Sequence, residues 1–287
     1  MKRLPGIIFA LILILTTCKT DDTNQKIKAV TLNLRYDNPR DSINAWPNRI
    51  KTVVDFFGSE QADLIGMQEV LWHQYEVLDS ALGEYGSQGV GRDDGMKGGE
   101  MNPVFYRKDR FELIESSTFW LSATPQTAGS KGWGASLPRI VTWARLKDLN
   151  SGREFYFFNT HFAHDSDSAR LMSAGILHEK VLEISGDKAF IVTGDFNMTA
   201  EAPGYAVITA KAEDMTAITD SYLLSETVPE GPAFTYNGFS DRPGESRIDF
   251  LFVPEGTAVY AHKTFSIKNN GVFISDHWPV EAVVSFK

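Results

Sequence analysis

A chain of 287 residues with 43% hydrophobic and 23% charged side chains can bury a sizeable core, and its composition is not that of a disordered or fibrous protein. Its formal charge of −9 shows none of the basic surplus by which proteins grip long nucleic acids, so such polymers are disfavoured as partners, although a local basic patch remains compatible. No repeat, charge block or low-complexity tract interrupts the sequence after residue 30, and residues 27–287 read as one domain.

The N-terminus reads as an export signal. Lys2 and Arg3 form a positive head, and the apolar run Ile7–Leu15 is too short to span a bilayer comfortably. It leads into Leu15-Thr16-Thr17-Cys18, and Cys18 is the only cysteine, so no internal disulfide can form. This stretch resembles a bacterial lipobox, whose cysteine is lipidated and becomes the mature N-terminus, with Thr17 where Gly, Ala or Ser is usual. Residues 1–18 are thus a lipoprotein signal, or a conventional signal with an incidental cysteine. Residues 19–26 are polar throughout and read as a tether. On the first reading the protein is anchored through lipidated Cys18 at the bacterial outer membrane or elsewhere outside the cytoplasm.

Beyond the tether, Val30, Leu32 and Leu34 alternate with Thr31 and Asn33, which predicts a strand over 27–34. Helical spacing follows over 48–57, then a short buried strand over 63–68 that ends on Glu69, then a helix over 71–82. Strands are expected at 86–91, 103–107 and 111–117, with a Gly- and Pro-containing loop at 122–138. Strands at 139–146 and 155–160 flank a turn, a helix covers 167–184, and a strand covers 189–196. Further strands are expected at 232–236, 247–253, 258–266 and 278–286. Hairpin-linked strand pairs mixed with single helices favour mixed sheets with helices on their outer faces. No Gly-rich phosphate loop follows the first strand, which argues against a doubly wound nucleotide-binding domain.

Polar residues punctuate the ends of several of these strands. In Ile191-Val-Thr-Gly-Asp195-Phe-Asn197 the extended chain turns Asp195 and Asn197 to one side and Phe196 to the core. Similar positions hold Ser275-Asp276-His277, Arg247-Ile-Asp249, Asn159-Thr-His161, Gln68-Glu69 and Asn33. Each alone has a structural explanation, such as an Asx-turn, a salt bridge or a satisfied core histidine. Together they form a coherent inventory. Glu69 and Asn33 offer hard oxygens for Mg²⁺ or Mn²⁺. His161 and His277 can donate to phosphoryl oxygens, Asp249 can orient an imidazole, and Asp195 can take a proton from water. Neither a zinc-protease helix motif nor a Gly-x-Ser-x-Gly elbow is present.

In this order, Asn33, Glu69, Asn159-Thr-His161, Gly194-Asp-Phe-Asn197, Arg247-Ile-Asp249 and Ser275-Asp-His277 resemble the endonuclease/exonuclease/phosphatase superfamily over nearly all of 27–287. The resemblance implies an α/β (α+β) four-layer sandwich of two facing mixed sheets flanked by helices. It implies that Glu69 binds a catalytic Mg²⁺ with Asn33 and Asp276 beside it, and that Asp195 activates water. It also implies that Asn197 holds water or phosphate, that His161 and His277 stabilise developing charge, and that Asp249 pairs with His277. Gly91-Arg92-Asp93-Asp94-Gly95 and Asn102-Pro103-Val-Phe-Tyr106 resemble further family segments, making Arg92, Asn102 and Tyr106 substrate-binding candidates or simply loop and strand structure. The loop 35–46, Trp133 and Arg139 are expected to shape the pocket.

The implied reaction is attack of water on an anionic phosphoester, where positioning and electrostatic stabilisation dominate. A small or glycan-borne phosphate outside the cytoplasm is the favoured substrate. A secreted nuclease, a phospholipid- or sphingomyelin-type phosphodiesterase and a non-catalytic surface binding protein are the alternatives.

Overall fold

The computed structural model describes residues 26–211, 216–242 and 244–286. The signal segment, Cys18 and residues 19–25 of the tether lie outside them. Among the described residues no helix is long and apolar enough to cross a membrane.

In β1 (Ile27–Asn33), Val30 and Leu32 join one hydrophobic cluster while Ile27 and Ala29 join another. A strand with apolar residues on both faces needs a layer on each side of it. The same parity holds in the second half of the chain. Val192 in β8 (Ala189–Asp195) and Phe158 in β7 (Glu154–His161) face one cluster, and their neighbours Ile191 and Phe157 face the other.

The result is four layers. The first sheet has the order β11 (Ala258–Thr264), β14 (Val280–Ser285), β1, β2 (Leu64–Gln68), β4 (Val104–Arg107), β3 (Tyr85–Gln88). The second runs β5 (Phe111–Trp120), β6 (Ile140–Asp148), β7, β8, β10 (Asp249–Pro254), β9 (Ile218–Asp220). Pairing within the sheets is antiparallel except for β1 with β2 and β7 with β8. Helices α1 (Trp46–Glu60) and α2 (Trp72–Ala81) cover the first sheet through Val53, Phe57 and Leu78. Helices α3 (Asp167–Ser185) and α4 (Pro203–Ile208) cover the second through Leu177, Val181 and Ile208. This is the mixed-sheet sandwich expected from the sequence.

The stretch 232–236 is not a strand. Thr235 instead accepts from Trp278 N through its carbonyl and from Ile248 N and Asp249 N through its hydroxyl, and Tyr236 makes an isolated bridge to His277. The backbone N–H of Thr235 goes to the Ser246 carbonyl and its carbonyl to Trp278 N, two separate segments, which leaves neither for a ladder. The strand expected at 247–253 begins only at Asp249, and Arg247 turns to Asp220 at 2.8 Å. The short elements α4, β9, α5 (Ser221–Leu224) and the hairpin of β12 (Lys268–Asn269) with β13 (Val272–Phe273) carry too few residues to show a period.

The inner faces of the two sheets are joined by a polar bridge. Asn159 in β7 donates from Nδ2 to the carbonyls of Met67 and Pro103 at 2.6 and 2.9 Å. Its Oδ1 accepts from Gln68 Nε2 at 2.7 Å and from Thr193 Oγ1 at 3.1 Å. Gly66 is required here, because a Cβ would lie 2.2 Å from Thr193 Oγ1 and 2.7 Å from Asn159 Oδ1. Replacing Asn159 with Ala removes four buried hydrogen bonds, three of them between the sheets. The expected outcome in a denaturant titration is a loss of roughly 3 kcal/mol of stability; a change under about 0.5 kcal/mol would remove the bridge from the account.

Candidate active site

Topology brings the punctuating residues together. The parallel pairs deliver the C-terminal ends of β1, β2, β7 and β8 to one edge of the sandwich. Strands β10 and β14 run antiparallel to β8 and β1, so their beginnings reach the same edge. His161, Asp195 and Asp249 sit side by side in register across the second sheet. Asn33 and Gln68 are paired at the end of the first, and Ser275-Asp276-His277 enters just ahead of β14. A cavity of about 470 Å³ opens here, lined by Glu69, His161, Asp195, Asn197, Asp276 and His277 among others.

Asp195 is 1% exposed at its floor. Its Oδ2 accepts from Asn33 Nδ2 at 2.9 Å, and its Oδ1 from the Asn197 backbone N–H at 2.9 Å. That second bond needs Asn197 in the left-handed region, φ 50°, a conformation asparagine tolerates. Phe196 points the other way into the apolar cluster. Burial pushes the Asp195 carboxyl up to about 7; His277 opposes the shift and Asp249 adds to it.

The two histidines differ in charge for reasons visible in their surroundings. Burial would lower His277, but Asp249 and Asp195 outweigh it and hold the imidazole well above its usual value. Nδ1 of His277 lies 2.8 Å from Asp249 Oδ2, and Nε2 lies 3.7 Å from Asp195 Oδ2. His161 is lowered well below its usual value by burial and by the cations Arg139 and Arg92. Its Nε2 is 2.9 Å from Asn197 Nδ2 and 3.4 Å from Asp195 Oδ2. A charged and a neutral imidazole thus flank one carboxylate.

The first sheet contributes the acidic side. Glu69 takes a left-handed backbone, φ 59°, at the end of β2. Its oxygens accept from Asn33 Nδ2 at 3.0 Å and Tyr36 N at 3.2 Å. Burial raises the proton affinity of Asp276, and the Glu69 charge adds to it against His277 and Arg35. Behind them Arg49 is fully buried and donates to the carbonyls of Asn44, Leu34, Arg35 and Ile274, locking the Arg35 loop to the 274–276 segment. Ligand atoms of Asp195, Asp249 and His277 also lie within 4.8 Å of one another. In that trio a cation would compete with the proton His277 holds between two carboxylates. Glu69 and Asp276 bring further carboxylate oxygens to the same pocket.

Residues 30–277 match the sequence model of the Endonuclease/Exonuclease/phosphatase family. The chain belongs to this family. Among solved members, an endonuclease/exonuclease/phosphatase from Bacteroides vulgatus is similar at 38% identity, covering 91% of this chain and 99% of that one with a TM-score of 0.86. A mannosyl-6-phosphatase of Bacteroides thetaiotaomicron is similar at 34% identity, covering 91% and 100% with a TM-score of 0.82. The human Nocturnin catalytic domain shares the fold at 18% identity and a TM-score of 0.72, covering 92% and 94%.

Within this family frame, the structure does not bring every candidate to the pocket. Tyr106 packs between the sheets against Gly86, because its place in β4 turns it to the inner apolar layer. Asn102 is spent on the carbonyl of Ile140 at 2.9 Å, a tie between sheets. Arg92 stands behind the wall, bidentate to Glu100 at 2.7 and 2.8 Å, and Trp133 is absent from the lining. Arg139 does line the pocket, as do Arg35 and Tyr36 from the 35–46 loop. Sequence reasoning passed over Glu100, Leu137, His164 and Tyr236, which also line it. The one available signal was proximity, since Glu100 precedes Asn102 by two positions and His164 follows His161 by three.

An Asp195 carboxyl held near 7 acts as a base only when deprotonated. Hydrolysis should fall about tenfold per pH unit below that point. A kcat profile flat from pH 7 to pH 5 would contradict the assignment of Asp195 as base.

Proposed function

We propose that this chain is a divalent-metal-dependent phosphoester hydrolase that uses water directly and acts on small or glycan-borne phosphate outside the cytoplasm. The observation that carries this reading is the placement of His277, its Nδ1 2.8 Å from Asp249 and its Nε2 3.7 Å from Asp195, a carboxyl that burial pushes up to about 7. His277 donates from Nε2 to a phosphoryl oxygen while Asp249 keeps Nδ1 engaged. Asp195, oriented by Asn33 and Asn197, takes the proton of the attacking water. His161, neutral and fixed beside Asn197, completes the second-sheet side.

Glu69 and Asp276, with Asn33 beside them, would hold Mg²⁺ or Mn²⁺. The fit rests on two mutually repelling carboxylates, one strained into place, facing a pocket with hard oxygen donors and no thiolate. The ion would supply positive charge to the phosphoryl oxygens. No side chain in the set is placed as a covalent nucleophile. The similarity to a mannosyl-6-phosphatase at 34% identity supports a sugar phosphate. The aromatic rim of Tyr36 and Tyr236 and the carboxylate of Glu100 suit a sugar ring and its hydroxyls.

The deciding experiment is a panel of sugar phosphates, nucleotides, phosphodiesters and single-stranded nucleic acid with Mg²⁺ and Mn²⁺. Turnover of sugar monophosphates that stops on chelation is expected. Preference for nucleic acid or lipid diesters would overturn the substrate, and activity unchanged after exhaustive chelation would overturn the metal. Asp195→Ala and His277→Ala should each lower kcat by about 10²- to 10⁴-fold without loss of fold. Near-normal kcat in either folded variant would remove that residue from the mechanism.

The same proposal places the enzyme on a membrane surface through Cys18. Mass spectrometry of the native protein should show a mature N-terminus at acylated Cys18, and Cys18→Ala should leave it soluble or unprocessed with unchanged specific activity. An unmodified N-terminus downstream of residue 18 would mean ordinary secretion.

A further inference from the structure

Arg139 is 4% exposed and lines the cavity on the second sheet's side, beside His161 and His164. A guanidinium carries five N–H donors in a planar fork. Nη2 lies 2.9 Å from His164 Nδ1. Nε and Nη1 are buried and meet no acceptor. Among the described residues Arg139 makes no ion pair, because Glu100, the acidic group on the same wall, is already held by both arms of Arg92. A buried charge with idle donors is costly unless an anion compensates it. Glu100, Asp195 and Glu69 act on this charge only from beyond ion-pair distance, and the pocket is where a closer anion would enter.

The position of Arg139 says what that anion is. The first sheet's side already offers charged groups to a phosphoryl centre, with Arg35 and His277 near Glu69 and Asp276. A monoester has three non-bridging oxygens and close to two negative charges at neutral pH, whereas a diester has two such oxygens and one charge. A guanidinium fork suits an additional anionic oxygen better than the uncharged second ester group of a diester. We infer that Arg139 makes this pocket selective for the dianionic phosphoryl group of a phosphomonoester. The inference rests on the proposed phosphoester hydrolysis and deepens it, by naming the residue that separates monoester from diester.

The test compares wild type with Arg139→Gln and Arg139→Lys, each checked for folding by thermal melting. p-Nitrophenyl phosphate and bis(p-nitrophenyl) phosphate report the two classes, and orthophosphate is the binding probe, followed by calorimetry. The ratio of monoester to diester kcat/KM should fall about 10- to 100-fold in Arg139→Gln, the effect of one charge-assisted hydrogen bond. The orthophosphate Kd should rise by a similar factor. Arg139→Lys, which keeps the charge and loses the fork, should fall between, and it decides the matter if the Gln variant does not fold. Equal loss on both substrates, an unchanged orthophosphate Kd, or a wild type that prefers the diester would overturn the inference. If the wild type hydrolyses neither these esters nor any member of the substrate panel, the proposed function fails by itself. Orthophosphate binding then still decides the role of Arg139, weakened binding in the variants supporting it and unchanged binding overturning it.

Discussion

The amide of Asn159 is the fastening on which the pocket depends. It spans two sheets whose contact is largely apolar and without directional information, with Asn102 to Ile140 and Asn33 to Asp195 as further polar ties. The site is divided between those sheets. Asn33, Glu69, Asp276 and His277 come from the first, and His161, Asp195, Asn197 and Asp249 from the second. The bond from Asn33 to Asp195 crosses the divide at 2.9 Å, so a shift of the sheets by one strand spacing would separate them. An amide suits the joint, because it donates twice and accepts twice without adding charge to a buried interface.

Charge inside the pocket is allotted by neighbours and not by residue type. His161 and His277 are both buried and face the same cavity, yet Asp249 and Asp195 raise one well above its usual value against burial, while burial reinforced by Arg139 and Arg92 holds the other well below. The two arginines of the 92–139 region differ in the same way. Arg92 is neutralised by Glu100, and Arg139 is left with donors to spare. An electrostatically graded cavity results, with oxygen donors at one edge and an unmatched cation at the other, a polarity suited to an anionic substrate bridging the two.

Much of this was legible in the sequence because it rests on periodicity and position. Alternation in β1 and apolar runs in β7 and β8 announced strands, and the i, i+2 relation of Asp195 and Asn197 announced their common direction. Polar residues interrupting apolar runs marked the strand ends that the fold later gathers. The unreadable parts depend on partners distant in the chain. Thr235 looks like a strand residue until the segments it ties at 248–249 and 278 are seen. Asn102 and Tyr106 sit in a family-like segment, but the pleat and a carbonyl of Ile140 claim them for the interior. Glu100 and Arg139 gain their significance from which ion pair is made and which is not, and local pattern holds no record of that.

The pairing of β1 with both β2 and β14 has a consequence for how the protein is made. The first strand of the domain is flanked by one of the last, and the Asp276-His277 pair arrives with it. Closing that contact joins residues more than 240 positions apart, as in the bond from Ser275 Oγ to the carbonyl of Asn33. Such long loops make the final association entropically demanding and slow. A nascent chain threading outward from its N-terminus therefore carries Asn33 and Glu69 long before it carries the imidazole that faces them. The hydrolytic centre stays incomplete until β14 and the segment before it dock against β1.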